Sequence, residues 1–268
     1  MRKAIIKTWV IGIIILIISA AILIYFATKL AHLGIDKREA CRQSVVLRSK
    51  SIAGLHPGEA LPLNCQTEII KIKTSDEEEI KKIISEALYD CWYMMGEGEL
   101  DFIGESGEKA CVICSIIKFD EKIKGKNISG LYKYMRETII PGKNITFADY
   151  IMKREESEIH IEDDTLKIDK DYAIVFLIVS SPTLGETIIN SLIGVGFGGI
   201  IGKIFSQVAA KLSVAGLIVG VFPSIADYIQ TWIKCKGHNM CTALMFIPYD
   251  PKNLGKNCQI ILSIPPEE

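Results

Sequence analysis

Tyr172–Ser180, YAIVFLIVS, is the stretch whose reading decides the fold. It is an uncharged, β-branched run of strand length and reads as a central strand. Working outward, Cys241–Ile247 and Cys258–Ile264 have the same character. Pro248 has no N–H to donate, so the first of these must end there or lie at an edge. Upstream, Ala110–Phe119 and the alternating Thr67–Thr74 (TEIIKIKT) read as strands. Glu158–Ile168 reads as a hairpin with Asp163-Asp164 near its turn.

The clearest helix spans Asp76 to Met95. Ile80, Ile83, Ile84, Ala87, Leu88, Cys91 and Trp92 recur at helical spacing, Ser75-x-x-Glu78 fits a capping box, and Gly96 stops the run. Shorter helices are expected at Leu131–Thr138 and Thr146–Lys153. Strands and helices in this order give an α+β domain around a mixed, largely antiparallel sheet.

The chain has 268 residues, 49% hydrophobic and 24% charged, with a formal net charge of −1. The 31 basic and 32 acidic residues interleave without a basic stripe, which argues against a nucleic-acid partner. Charge concentrates between Lys29 and Lys170, and apolar residues at the N-terminus and after Ile188.

Thr8–Thr28 is 21 residues without a charge, enough to cross a hydrocarbon core of roughly 30 Å. Arg2, Lys3 and Lys7 precede it on a short tail, which favours the N-terminus inside and the rest outside; Lys29, Lys37, Arg38 and Arg42 oppose that orientation. A cleaved signal peptide is the competing reading, but the run is long for one and Phe26-Ala27-Thr28 is a poor cleavage site. The expected organisation is an anchor (1–30), an exterior α+β domain (31–186), a glycine-rich apolar helical segment (187–234) and C-terminal strands rejoining the domain (235–268). The expected partners are the membrane and either a protein or further copies of the chain.

Eight cysteines in an exterior domain read as a disulfide framework. Local separation favours Cys41–Cys65 and Cys235–Cys241, and two or three disulfides in all. Asn127-Ile128-Ser129 and Asn144-Ile145-Thr146 fit the N-glycosylation acceptor pattern in loop-like sequence.

Thr187–Ala226 carries only Lys203 and Lys211 as charges. Gly194, Gly198 and Gly202, then Gly216 and Gly220, fall at four-residue spacing, which lets helices pack closely. Three readings stay open: a buried helical pair, a membrane hairpin, and a conditionally inserting segment. A single span is disfavoured, because it would put the tail strands on the wrong side of the bilayer. Pro223 is expected to kink or end the second helix. The letters Gly194-Val195-Gly196-Phe197-Gly198-Gly199 lack the preceding strand and following acid of a dinucleotide site.

Candidate chemistry is sparse. Cys111-Val112-Ile113-Cys114 has redox or zinc spacing, but strand-like flanks put the two sulfurs on opposite faces. Cys235-x-x-His238-x-x-Cys241 could complete a zinc set with Cys111 or Cys114, although exterior thiols oxidise more readily than they ligate. Glu97, Glu99 and Asp101 read as a solvated acidic loop rather than a calcium site. His32, His56 and His160 have no nucleophile in a recognisable pattern. No catalytic residue, metal site or cofactor is expected.

The strings Cys91-Trp92-Tyr93-Met94-Met95-Gly96-Glu97-Gly98, Asp101-Phe102, the Cys111–Cys114 motif and Phe246-Ile247-Pro248-Tyr249-Asp250 resemble a group of uncharacterised membrane-anchored archaeal proteins. That resemblance implies an anchored exterior domain and no activity. The leading expectation is a non-enzymatic binding or assembly module. The alternatives are a membrane-perturbing or channel-like protein and a thiol or zinc enzyme.

Overall fold

A computed structural model describes residues 16–22, 36–52, 61–103, 109–152, 165–180, 219–224, 229–236, 240–250 and 260–261. The elements in chain order are α1 (Lys37–Ile52), β1 (Glu68–Ile72), α2 (Glu77–Met94), a 3-10 turn (Gly96–Gly98), β2 (Lys109–Phe119), β3 (Asn127–Ser129), α3 (Leu131–Glu137), α4 (Phe147–Met152), β4 (Thr165–Lys167), β5 (Tyr172–Ser180), β6 (Val219–Ser224), β7 (Ile229–Lys236), β8 (Met240–Pro248) and β9 (Ile260–Ile261).

The main sheet has seven strands in the order β1-β2-β5-β8-β7-β6, with β9 also beside β2. β1 and β9 share one edge of β2, β9 against Ala110 and Cys111 and β1 against Ser115–Phe119; both pairings are parallel. The β2–β5, β5–β8, β8–β7 and β7–β6 pairings are antiparallel. The fold is therefore mixed α+β around a mixed sheet. Parallel neighbours need a crossover, and α2 supplies it between β1 and β2.

α2 is capped by Asp76, not by the Ser75 box read from sequence: its carboxylate accepts from the Glu78 N–H at 3.0 Å. Ile80, Ile84, Leu88, Cys91 and Trp92 face the sheet and are buried. Beneath them, β2 carries a bulge at Cys114: Ile113 opposes Val175, and Ser115 opposes Ile174. An extra residue reverses the alternation of faces. The helix-side core accordingly takes Ala110, Val112 and Cys114 before the bulge and Ile117 and Phe119 after it.

β5 is buried on both faces from Tyr172 to Val179, and β8 from Met240 to Ile247. Strands covered on both sides need no polar alternation, which explains their unbroken apolar sequence. Ile174, Phe176, Leu244 and Phe246 join the helix-side core. Ala173, Val175, Ala243 and Met245 point the other way and are buried as well, outside that core.

Several expectations are corrected. Asn127–Ser129 is a strand, not a loop, because buried Ile128 lets it pair with β4. That pairing places β4 against residues 127–129; the earlier part of the expected 158–168 hairpin lies outside the described residues. Val219–Ser224 and Ile229–Lys236 are strands, where the sequence reading had helix through 226 and helical character to 234. Pairing of β7 with β8, and of β6 with β7, draws these β-branched and aromatic stretches into the sheet. Pro223 does not end a helix but sits in the last strand of the order, where a missing N–H is tolerated. β8 does end at Pro248, in the interior of the sheet and not at an edge.

Of the Thr8–Thr28 run, residues 16–22 are described and are helical, with Leu16, Ile17, Ile18 and Ile22 exposed. Among the described residues no helix is long and apolar enough to cross a membrane. The remainder of that run, and residues 181–218, lie outside the described residues.

Candidate binding groove and the tyrosine cluster beside it

α1 was not foreseen from sequence. Its apolar content is low, and it docks chiefly through polar and covalent links. Asp36 caps it, its carboxylate accepting from the Arg38 N–H at 3.2 Å. One turn apart, Cys41 and Val45 are buried, and Cys41 is disulfide-bonded to Cys65. Arg38 donates to Asp90 at 2.5 Å, and Arg48 donates to the Phe102 carbonyl at 2.7 Å and the Leu61 carbonyl at 2.9 Å. Arg42 donates to the Tyr93 carbonyl and lies 4.0 Å over the Tyr93 ring. The i, i+4 spacing of Arg38 and Arg42 aims both at the end of α2.

Where the first turn of α1 and the last turns of α2 meet the start of β1, they enclose a groove of about 690 Å³. Gln66, Thr67, Glu68 and Ile69 form one wall, Asp36, Lys37 and Arg38 another, and Asp90, Met94 and Cys114 complete it. Among the described residues β1 has one strand partner, β2, and no strand lies against its other edge. Burial raises the Asp90 carboxyl above the usual carboxylate range, and the Arg38 hydrogen bond opposes that shift.

A second cluster adjoins the groove at the same end of α2, where Arg38 lies 5.3 Å over the Tyr93 ring. Tyr89 and Tyr93 stack at 6.2 Å, and Tyr89 meets Tyr150 at 4.9 Å. The Lys143 ammonium sits over these rings, 4.2 Å from Tyr150 and 5.0 Å from Tyr89. Tyr150 donates to Glu97 at 3.0 Å, and Arg42 is 3.7 Å from the same carboxylate oxygen. Burial, followed by the Glu97 charge, holds the Tyr150 hydroxyl far above its ordinary range.

Glu97 reaches this position from a left-handed turn. Gly96, Glu97 and Gly98 have φ of 65°, 59° and 68°. A side chain at Gly98 would meet Thr242 Oγ1 at 2.6 Å and Trp92 Cη2 at 2.7 Å, so the chain passes there only as glycine. Glu97 tolerates the left-handed conformation while tied to Tyr150 and Arg42.

The acidic loop expected at Glu97, Glu99 and Asp101 is therefore a structured turn. Glu97 is engaged as above, and Asp101 accepts from the Ile103 N–H at 3.1 Å. Among the described residues no three His, Cys, Asp or Glu side chains are grouped to hold a metal ion. The Cys111–Cys114 motif is split between the two faces of the sheet. Cys114 is bonded to Cys91 on α2, while Cys111 is disulfide-bonded on the opposite side. Cys241 is disulfide-bonded as well and stands opposite Cys235 in the β7–β8 register. These thiols are spent in bonds, so neither the zinc set nor a CxxC thiol site forms.

Asn127 and Asn144 are both exposed. Asn127 opposes Lys167 on the small sheet; Asn144 stands in the bend next to Lys143. Thr146 of the second acceptor triplet caps α4, its hydroxyl accepting from the Asp149 N–H at 3.1 Å. Of the packing glycines, Gly220 lies in β6; Gly194, Gly198, Gly202 and Gly216 lie outside the described residues. So do His32, His56, His160 and His238.

Comparison with protein-family models, with curated proteins and with solved structures finds no match. The functional reading rests on the chain's own residues.

Proposed function

We propose that this chain is a membrane-anchored extracytoplasmic protein whose domain is a binding module for an extended segment of another protein. The observation that carries it is the groove at the start of β1, a strand with β2 as its one strand partner among the described residues. An unpaired strand edge beside a cleft offers main-chain hydrogen bonds to an incoming extended peptide, and the cleft walls give side-chain selectivity. Asp36, Glu68 and Asp90 against Lys37 and Arg38 favour a segment with a basic residue.

The address has separate support. The disulfides fit an oxidising compartment. The uncharged Thr8–Thr28 run has the length of a bilayer span. Residues 29–35 are a short link, so α1 and the groove would stand close to the membrane surface. Exposure of Asn127 and Asn144 fits glycan acceptors on that side.

The binding reading is tested with a library of extended peptides titrated against the full chain. Peptides whose affinity falls about tenfold or more when Ile69 or Ile70 is replaced by proline support it, since tenfold corresponds to roughly one lost hydrogen bond. A library without a binder, or binders indifferent to both substitutions, removes it. The address is tested by membrane-impermeant thiol labelling of intact cells. Labelling only after reduction supports an exterior disulfide domain; no labelling after reduction places it inside.

A further inference from the structure

α1 carries an open side. Cys41 and Val45 turn inward and are buried, while Gln43, Leu47 and Lys50 are exposed. Leu47 keeps 57% of its surface exposed, and Leu61 keeps 47%. The two leucines are neighbours. The chain from Leu61 to Cys65 runs antiparallel along α1: Arg48, the residue after Leu47, holds the Leu61 carbonyl, the Asn64 N–H donates to the Ser44 hydroxyl at 2.9 Å, and Cys65 is bonded to Cys41. We propose, resting on the anchored reading above, that this side of α1 together with Leu61 lies on the surface of the bilayer that holds Thr8–Thr28, with anionic headgroups favoured.

The composition suits that occupant. An interfacial helix needs apolar side chains beside basic ones and no acid between them. Residues 40–50 and 61–67 contain Arg42, Arg48 and Lys50 and no Asp or Glu. Arg42 and Arg48 are spent on the carbonyls of Tyr93, Phe102 and Leu61. Lys50 is exposed in the last turn and makes no ion pair among the described residues, so its charge is left for the headgroups. The acids of α1 and its cap, Glu39 and Asp36, stand at the other end and are engaged by Tyr93 and Arg38.

The tether supplies the affinity that two leucines and one lysine lack. Eight residues separate Thr28 from Lys37, a reach of at most about 30 Å. α1 itself has 16 residues and is about 24 Å long. An anchored chain therefore meets the headgroups as an intramolecular event, at high effective concentration. Leu16, Ile17, Ile18 and Ile22 of the anchor run are themselves exposed, so they do not cover the open side of α1.

Contact on this side leaves the groove free. At 3.6 residues per turn Leu47 lies opposite Arg38 on the helix, and Arg38 lines the groove. The bilayer contact would thus fix the orientation of the binding module without occupying it.

The test reconstitutes the full chain in vesicles of phosphatidylcholine and phosphatidylglycerol. Tryptophan emission is compared between plain lipids and lipids brominated near the headgroup end of their acyl chains. Leu47→Trp should lose more emission to bromine than the parent. Ile139→Trp, at an exposed position between α3 and α4, should lose no more than the parent. Extra loss at both positions would mean that no face is preferred. Extra loss at neither, or a blue-shifted position 47 that bromine does not quench, would mean that water or protein covers this side. Each of these overturns the proposal. The anchor is read separately: parent loss that disappears in Trp9→Phe places it in the bilayer, and failure at position 47 then strikes the surface contact alone. Parent loss that is absent, or unchanged in Trp9→Phe, removes the anchor and the proposal with it. Adding Lys50→Gln to Leu47→Trp should lower the surface-bound ratio about fivefold, the equivalent of about 1 kcal/mol for one lysine at an anionic surface. An unchanged ratio would overturn the preference for anionic headgroups.

Discussion

Cys114, the extra residue of the β2 bulge, is bonded to Cys91 on the helix that crosses from β1 to β2, with Cα atoms 5.5 Å apart. The bond fastens α2 to the sheet at the point where the alternation of faces reverses. It also defines one boundary of the groove, because Cys114 lines it.

Removing that link by the double change Cys91→Ala and Cys114→Ala should destabilise the domain by about 3 kcal/mol, the loop-closure value for a separation of 23 residues. The midpoint of urea unfolding should fall with little change in far-UV circular dichroism. Peptide binding at the groove should weaken in parallel, because Asp90 and Met94 on the last turns of α2 form part of its wall.

The left-handed turn yields a graded comparison. Gly98→Ala combines an unfavourable φ with a clash against Thr242 and Trp92, and should cost about 2–5 kcal/mol. Gly142→Ala has the same backbone problem with open space around it and should cost only about 1–2 kcal/mol. Thermal unfolding of the two variants side by side checks whether steric closure over Trp92, and not backbone conformation alone, fixes this turn.

Much of the sheet could be read in the sequence because burial on both faces leaves long apolar runs. β5, β8 and β2 announce themselves in this way, and α2 shows its period of 3.6. α1 and the second half of the glycine-rich stretch do not. α1 buries Cys41 and Val45 but draws its docking from Arg38, Arg42, Arg48 and a disulfide, none of which leaves an apolar stripe. Gly220 falls at helix-like spacing from Gly216 in the sequence, yet β7 recruits Val219–Ser224 as a strand through pairing. The groove was invisible for the same reason: its walls come from four elements far apart in sequence, and β1 identifies itself as an edge only once the strand order is known.

Alkaline pH should unfold the domain through Tyr150. Its hydroxyl ionises well above the ordinary value of 10.0 in the folded state, because it is buried and faces the Glu97 carboxylate. In the unfolded chain it loses its proton near pH 10. Above that pH the folded state holds the proton and the unfolded state does not, so stability present below pH 10 is lost as pH rises. Unfolding followed from pH 8 to 11 should show a steep fall in the parent and a shallower one in Tyr150→Phe. Equal slopes would mean that Tyr150 ionises freely in the folded protein.

The register of β7 and β8 makes a covalent prediction. Cys235 and Cys241 stand directly opposite each other, at a spacing that antiparallel neighbours keep within disulfide reach. Cys41–Cys65 and Cys91–Cys114 take four of the eight cysteines, and Cys111 and Cys241 are both bonded. Pairing Cys235 with Cys241 leaves Cys258 for Cys111. Cys258 lies two positions before Ile260, which β9 sets beside Ala110 on β2. Proteolysis without reductant followed by mass spectrometry should therefore recover a Cys235–Cys241 peptide and a Cys111–Cys258 peptide. Recovery of Cys111 joined to Cys235 would require a different β7–β8 register and would move the hairpin that closes this end of the sheet.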